Sequence, residues 1–69
     1  MTREEHLQWA KERALKEPEI SSMWGSFNSD MSKHEELVSH IALPLGMMLF
    51  TSGSWENISD CEKFIEGFN

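Results

Sequence analysis

The chain has 69 residues, which fits one small domain, residues 1–69, because neither half alone could bury a useful core. Its formal net charge is −6, from twelve acidic and six basic residues spread along the chain. Direct nucleic-acid binding is therefore not expected, since it depends on Lys and Arg neutralising phosphates. The longest apolar run is about half of the roughly 20 residues that a membrane span needs, and the acidic opening segment resembles no signal or transit peptide. We expect a soluble, cytoplasmic protein.

The first half of the chain carries the pattern of two helices. Thr2 and Glu5 have the spacing of a capping box, so helix one should begin there and run to about Lys16. Pro18 suits the first turn of helix two, where its missing amide hydrogen costs no hydrogen bond. The apolar stripe of helix two has helical spacing and consists of Ile20, Met23, Trp24, Phe27 and Met31. The residues between them are polar and should face water, except Gly25, which we expect to permit close approach of a neighbouring backbone.

The middle of the chain predicts a short turn and then a third helix. Ser32 and Glu35 repeat the capping-box spacing, which indicates a new helical start and a short turn. Residues 41–50 leave almost no polar face, and a helix of that kind should be central to the core. Pro44 should lie in its first turn. Gly53 can take the left-handed conformation that ends a helix.

The last segment predicts a fourth helix. Asn57 is a good N-cap, and Asp60 would oppose the positive end of the helix dipole in the first turn. Its apolar stripe consists of Cys61, Phe64, Ile65 and Phe68. This helix should dock on helix three, with Trp55 packed back as a hydrophobic anchor. The expected fold is all-α, a small bundle of about four short helices with a helical-hairpin-like arrangement.

Residues that could carry chemistry are few and isolated. Cys61, the only cysteine, can form neither an internal disulfide nor a zinc pair, and on an apolar stripe it reads as a small buried hydrophobe. The histidines His6, His34 and His40 show no i, i+4 pair of the kind that binds zinc on a helix. The four glycines are isolated, so no phosphate-binding loop is present. We expect no enzymatic activity, no metal and no cofactor.

Two groups of residues could instead bind another protein. Trp9 falls off the helix-one stripe of Leu7, Ala10 and Ala14 and beside His6 and Arg13. A Trp flanked by Arg is the composition of an interface hot spot, and His6, Trp9 and Arg13 are therefore the predicted protein-binding residues. The alternative is that Trp9 belongs to a wide buried face. Met47 and Met48 could likewise form an adaptable groove, although methionines at helical spacing usually belong to the core.

Four stretches of the chain are familiar together: residues 1–9 (MTREEHLQW), 29–34 (SDMSKH), 45–49 (LGMML) and 63–69 (KFIEGFN). In register over nearly the whole chain, they resemble a family of small uncharacterised proteins encoded by tailed bacteriophages and prophages. Family members look richer in turn residues where this chain has residues 16–20. The resemblance implies a phage or prophage origin and expression in a bacterial cytoplasm, but no mechanism.

Three functions are compatible with this pattern. The first is a non-enzymatic phage accessory protein that contacts an unknown host or phage protein through His6, Trp9 and Arg13. The second is an acidic decoy whose carboxylates imitate DNA phosphates and so occupy a nucleic-acid-binding host protein. The third is a self-associating structural protein, such as a homodimer, whose Met and Phe surface is buried only in the oligomer.

Overall fold

The computed structural model describes residues 1–69, which form four α-helices and no strand. The helices are α1 (Arg3–Ala14), α2 (Ile20–Met31), α3 (Ala42–Thr51) and α4 (Ile58–Glu66). The predicted all-α class and the number of helices are confirmed. The Cα radius of gyration is 11.0 Å, which matches the value of about 11 Å expected for a compact domain of this length. None of the helices has the length and apolar content required to cross a membrane.

The capping box of α1 is present as predicted. The Glu5 amide donates to Thr2 Oγ1 at 3.1 Å, and the Thr2 amide donates to Glu5 Oε1 at 2.9 Å. The hydrogen bonds from Thr2 lower the pKa of the Glu5 carboxyl, because they favour its charged form. The first helical residue is therefore fixed by side chains that are neighbours in sequence.

The connection between α1 and α2 differs from the prediction at both ends. α1 ends at Ala14 rather than near Lys16, and α2 begins at Ile20 rather than at Pro18. Pro18 lies in a bend, and Glu19 adopts an extended conformation as the N-cap. The chain needs these irregular residues to turn back, so that α2 can pack along α1.

The central helix is α2, and the prediction that helix three would be central is wrong. α2 packs against each of the other three helices. Its predicted stripe is confirmed, since four of the five stripe residues are fully buried: Met23, Trp24, Phe27 and Met31. Trp24 lies at the middle of an aromatic cluster with Phe27, Trp55, Phe64 and Phe68, whose ring centroids are 5.5–6.5 Å from its own.

α3 lies at the periphery and buries one side only. Leu43 and Gly46 are its buried residues. A Cβ built on Gly46 would lie 2.7 Å from Trp24 Cζ2 and 2.8 Å from Phe64 Cε2, so the absence of a side chain lets the indole pack directly on the α3 backbone. The expectation of a close approach at Gly25 is wrong, because a Cβ there would meet nothing within 4 Å.

The segment between α2 and α3 forms turns without a second capping box. The Ser32 amide and hydroxyl both donate to the Asn28 carbonyl, so Ser32 ends α2 instead of starting a new helix. The Glu36 amide donates to His34 Nδ1 at 3.1 Å within the turn. The prediction of a short turn is confirmed, and Leu37 fixes it to the core as a fully buried side chain.

The predicted ends of α3 and α4 are confirmed. Pro44 lies in the first turn of α3, and Gly53 has a φ of 73°, the left-handed conformation, just after its C-cap. The Asp60 amide donates to Asn57 Oδ1 at 3.1 Å and caps α4. Trp55 packs on Phe64 as expected. However, α4 packs chiefly on α2 rather than on α3, and Trp24 of α2 and Phe64 of α4 both lie against Gly46 of α3.

Candidate functional site

The three predicted binding residues lie together on one side of α1. The ring centroids of His6 and Trp9 are 5.0 Å apart in an edge-to-face arrangement. The Arg13 guanidinium carbon lies 4.9 Å from the centroid of the Trp9 ring, within the range of a cation–π contact. We call this group the Trp9 surface. It consists of Trp9 and Arg13 together with the side chains packed beneath and beside them, His6, Asp30, Lys33 and His34.

A buried carboxylate on α2 anchors the Trp9 surface. The Asp30 side chain is only 2% exposed, and its Oδ2 accepts a hydrogen bond from Arg13 Nε at 2.8 Å. Lys33 Nζ lies 3.4 Å from the other oxygen. A buried charge is costly unless it is paired and hydrogen-bonded, and the two cations supply that pairing. Asp30 belongs to the residues that were expected to face water, and this expectation is wrong for it.

His6 supports the Trp9 surface from below and does not extend it. Its ring is buried, and Nε2 lies 2.6 Å from the carbonyl oxygen of Asp30. The His34 ring lies 5.0 Å away, centroid to centroid. The Trp9 ring is therefore in contact with both His6 and Arg13. Trp9 itself is partly buried against the core and partly accessible.

Sequence reasoning missed the second half of this surface, which comes from α2 and the following turn. Asp30, Lys33 and His34 belong to one of the stretches on which the family resemblance was based, residues 29–34. Their place in that stretch was the only hint in the sequence that these residues belong to a site. No local pattern places this segment beside α1. With Lys16, which lies next to Arg13, the surface gathers three of the six basic residues of an acidic chain.

A second accessible feature is the outward side of α3. Residues 41–55 contain no charged side chain. Five of the six large hydrophobic residues exposed in the protein lie on α3 or just before it: Val38, Ile41, Leu45, Met47 and Met48. We call these five residues the α3 outer face. The expectation that the two methionines belong to the core is wrong, because both are exposed.

A shallow groove of about 340 Å³ lies between the start of α3 and the end of α4. Its lining is His40, Ala42, Lys63, Phe64, Gly67, Phe68 and Asn69. His40 Nε2 is bonded to the Asn69 carbonyl oxygen and Nδ1 accepts from the Ala42 amide, so both ring nitrogens are in use. The groove therefore offers the partly exposed ring of Phe64 and the Lys63 ammonium, with Phe68 buried at its base.

The thiol of the single cysteine lies inside the core. Cys61 is fully buried, as predicted, and burial together with the charge of Glu62 raises the pKa of its thiol to about 11. At neutral pH the sulfur is therefore protonated and shielded. No group of three or more His, Cys, Asp or Glu side chains is arranged to hold a metal ion.

Comparisons of the chain with protein families, curated proteins and solved structures give no match. The likeness to phage-encoded proteins thus depends on the four stretches quoted above. The Trp9 surface and the α3 outer face are the two accessible features whose chemistry bears on function. The Trp9 surface is polar, aromatic and rigidly held, whereas the α3 outer face is apolar and uncharged.

Proposed function

We propose that the protein is a non-enzymatic interaction module that binds another protein through the Trp9 surface. In keeping with the resemblance noted above, we place it among phage or prophage accessory proteins acting in a bacterial cytoplasm on a host or phage protein. The observation that carries the proposal is the fixed position of an exposed arginine over a partly exposed tryptophan.

The side chains of Arg13 and Trp9 are held in position before any partner binds. The Arg13 side chain is 54% exposed, yet it is held by a buried carboxylate at 2.8 Å and by the Trp9 ring. Binding normally costs about 0.5–1.5 kcal/mol for each flexible side chain that becomes immobilised. Here that cost has been met during folding, so contacts made by Arg13 and Trp9 contribute more fully to affinity.

The charge of the surface indicates the kind of partner. Arg13 lies over the Trp9 ring, Lys33 pairs with the buried Asp30, and Lys16 lines a recess with Arg13 and Glu17, whereas the chain as a whole carries a net charge of −6. Asp30 neutralises part of this positive charge, but it is buried and cannot contact a partner directly. An exposed segment that presents carboxylates beside an apolar or aromatic side chain would match this arrangement.

The test uses two variants of the Trp9 surface and one matched control in a pull-down from bacterial lysate. Arg13→Gln removes the charge and leaves a shorter polar side chain, and Trp9→Ala removes the ring. Lys63→Gln changes the net charge by the same amount at an exposed position of α4. We expect each of the first two to weaken capture of the partner about tenfold or more, as hot-spot residues do, and the control to leave it unchanged.

Circular dichroism separates loss of binding from loss of folding. If Trp9→Ala unfolds the protein, Trp9 belongs to the core. Capture of the partner by Arg13→Gln then decides whether the Trp9 surface is the binding site. Equal capture by wild type and Arg13→Gln, with both proteins folded, would exclude the Trp9 surface as the binding site.

A further inference from the structure

α3 presents two opposite sides that are both apolar. Leu43, Gly46 and Phe50 face the core, whereas Ile41, Leu45 and Met48 follow one another at i, i+4 and i+7 on the other side. Ile41 is 89% exposed, Leu45 48% and Met48 64%. The outward stripe is therefore continuous over the length of the helix.

This surface is unusual for a small monomer in two respects. A helix that is apolar all round is normally buried on all sides, and α3 is buried on one. In addition, all 18 charged residues of the chain, twelve acidic and six basic, lie outside residues 41–55. Contiguous apolar patches of this kind mark sites that are covered by another molecule.

We propose that the α3 outer face is covered by the same face of a second copy of this chain, in a symmetric dimer. Each copy carries a net charge of −6, so like charges oppose the approach of two copies over most of the acidic surface. The segment 41–55 is where they can approach without bringing like charges together. A two-fold interface must also be complementary to itself, and an apolar stripe without charges meets that requirement.

The position of the two-fold axis follows from the stripe. Leu45 lies between Ile41 and Met48. If the two helices run antiparallel, the Leu45 side chains of the two copies meet near the axis, and Ile41 of each copy faces Met48 of the other. The dipoles of the two helices then oppose each other, which is favourable at short range.

The size of the face fits a weak to moderate dimer. A standard interface covers about 800 Å² of each partner, which is about a fifth of the 4270 Å² accessible surface of this chain. The α3 outer face offers five exposed apolar side chains along and just before a ten-residue helix. Because only one side of these residues is outward, the buried area should fall toward the low end of specific interfaces, and we expect a dissociation constant in the micromolar range.

The dimer does not depend on the proposed function, because the α3 outer face and the Trp9 surface share no residue. If both hold, one dimer carries two Trp9 surfaces, and a partner with two binding segments would be held more tightly through multivalency.

The test is sedimentation equilibrium over a range from micromolar to millimolar concentration. The variant Ile41→Glu with Met48→Glu places four additional negative charges in the dimer interface. The control, Ser21→Glu with Ser29→Glu, changes the net charge equally at exposed positions of α2. We expect a monomer–dimer equilibrium for wild type and control, and for the α3 variant an association weakened at least about a hundredfold, so that it sediments as a monomer. Added salt should strengthen the wild-type dimer by screening the repulsion between the two copies.

A cross-link checks the arrangement independently. With Leu45→Cys, mild oxidation should give a covalent dimer at low concentration, whereas Ser29→Cys should not. The native Cys61 is fully buried and does not compete. A wild-type protein that stays monomeric at millimolar concentration, or a control variant that dissociates as completely as the α3 variant, would overturn the proposal. Neither result would affect the pull-down test of the Trp9 surface.

Discussion

At the scale of single residues, two glycines in helix interiors have opposite roles. Gly46 of α3 lies against the Trp24 indole and the Phe64 ring, and there is no room for a Cβ. Gly25 of α2 is exposed, and a Cβ there would meet open space. Only Gly46 is therefore required by packing, whereas Gly25 is a cost in helix propensity without a structural return.

We predict opposite effects of the same substitution at these two positions. Gly46→Ala should destabilise the protein by about 1–3 kcal/mol, because the added methyl group displaces the buried indole. Gly25→Ala should stabilise it by up to about 1 kcal/mol, the propensity difference in a helix interior. Urea unfolding followed by circular dichroism measures both. A Gly46→Ala variant as stable as wild type or more stable would show that Trp24 does not pack on Gly46 as described.

Trp24 also shows that aromatic packing can outweigh one hydrogen bond. Its side chain is fully buried, and its Nε1–H has no acceptor within the protein. A buried donor without a partner costs about 1–3 kcal/mol. The contacts of the ring with four other aromatic side chains offset this cost, since each such pair contributes about 0.5–1.5 kcal/mol beyond the buried area.

At the scale of elements, the four helices differ in what starts them. α1 and α4 begin with side-chain caps, from Thr2 and Asn57. α2 and α3 have no side-chain hydrogen bond at their N-caps. Helices of ten or twelve residues are marginal in isolation, so α2 and α3 depend on burial of their apolar sides.

The N-cap residue Asn57 should contribute measurably to the stability of α4 and of the whole protein. Asn57→Ala should lower the free energy of unfolding by about 1 kcal/mol, because the Asp60 amide loses its acceptor. Asn57→Asp keeps an acceptor at the same position and should retain the stability within a few tenths of a kcal/mol. Thermal unfolding of the three proteins measures the difference. Equal loss in both variants would mean that the amide group of Asn57 has another role.

At the scale of the whole molecule, the chain folds around α2, and its first and last helices are held together by long basic side chains. Twelve buried hydrophobic residues form one core cluster with contributions from every helix. Lys11 Nζ of α1 donates to the Glu66 carbonyl at 3.0 Å, and Arg3 Nη2 donates to the Asn69 carbonyl at 2.9 Å. These contacts join residues far apart in sequence, so the fold should unfold as one cooperative unit.

The single thiol reports on this cooperativity. Cys61 is fully buried and its pKa is raised to about 11, so a thiol reagent at pH 8 should label it only when the core opens. We expect labelling to be slower than that of an exposed control, Ser52→Cys, by several orders of magnitude, and to accelerate in step with unfolding as urea is added. Fast labelling of the native wild type would show that α4 opens by itself.

Several features could be predicted from local sequence patterns: the number of helices, the caps of α1 and α4, the α2 stripe, Pro44 in the first turn of α3 and the left-handed Gly53. These features are decided by residues within a few positions of one another. Other features depend on contacts between helices and could not be read from local patterns. These are the central position of α2, the burial of Asp30 beneath Arg13, the position of His6 on the interior side of Trp9, and the side of α3 that is exposed. The hydrophobic effect is non-directional, and residues 41–50 are apolar on every side of the helix. The fit of Trp24 onto Gly46 therefore determines which side of α3 packs against the core. The buried Asp30 likewise depends on Arg13, a cation from another helix that no local pattern places beside it.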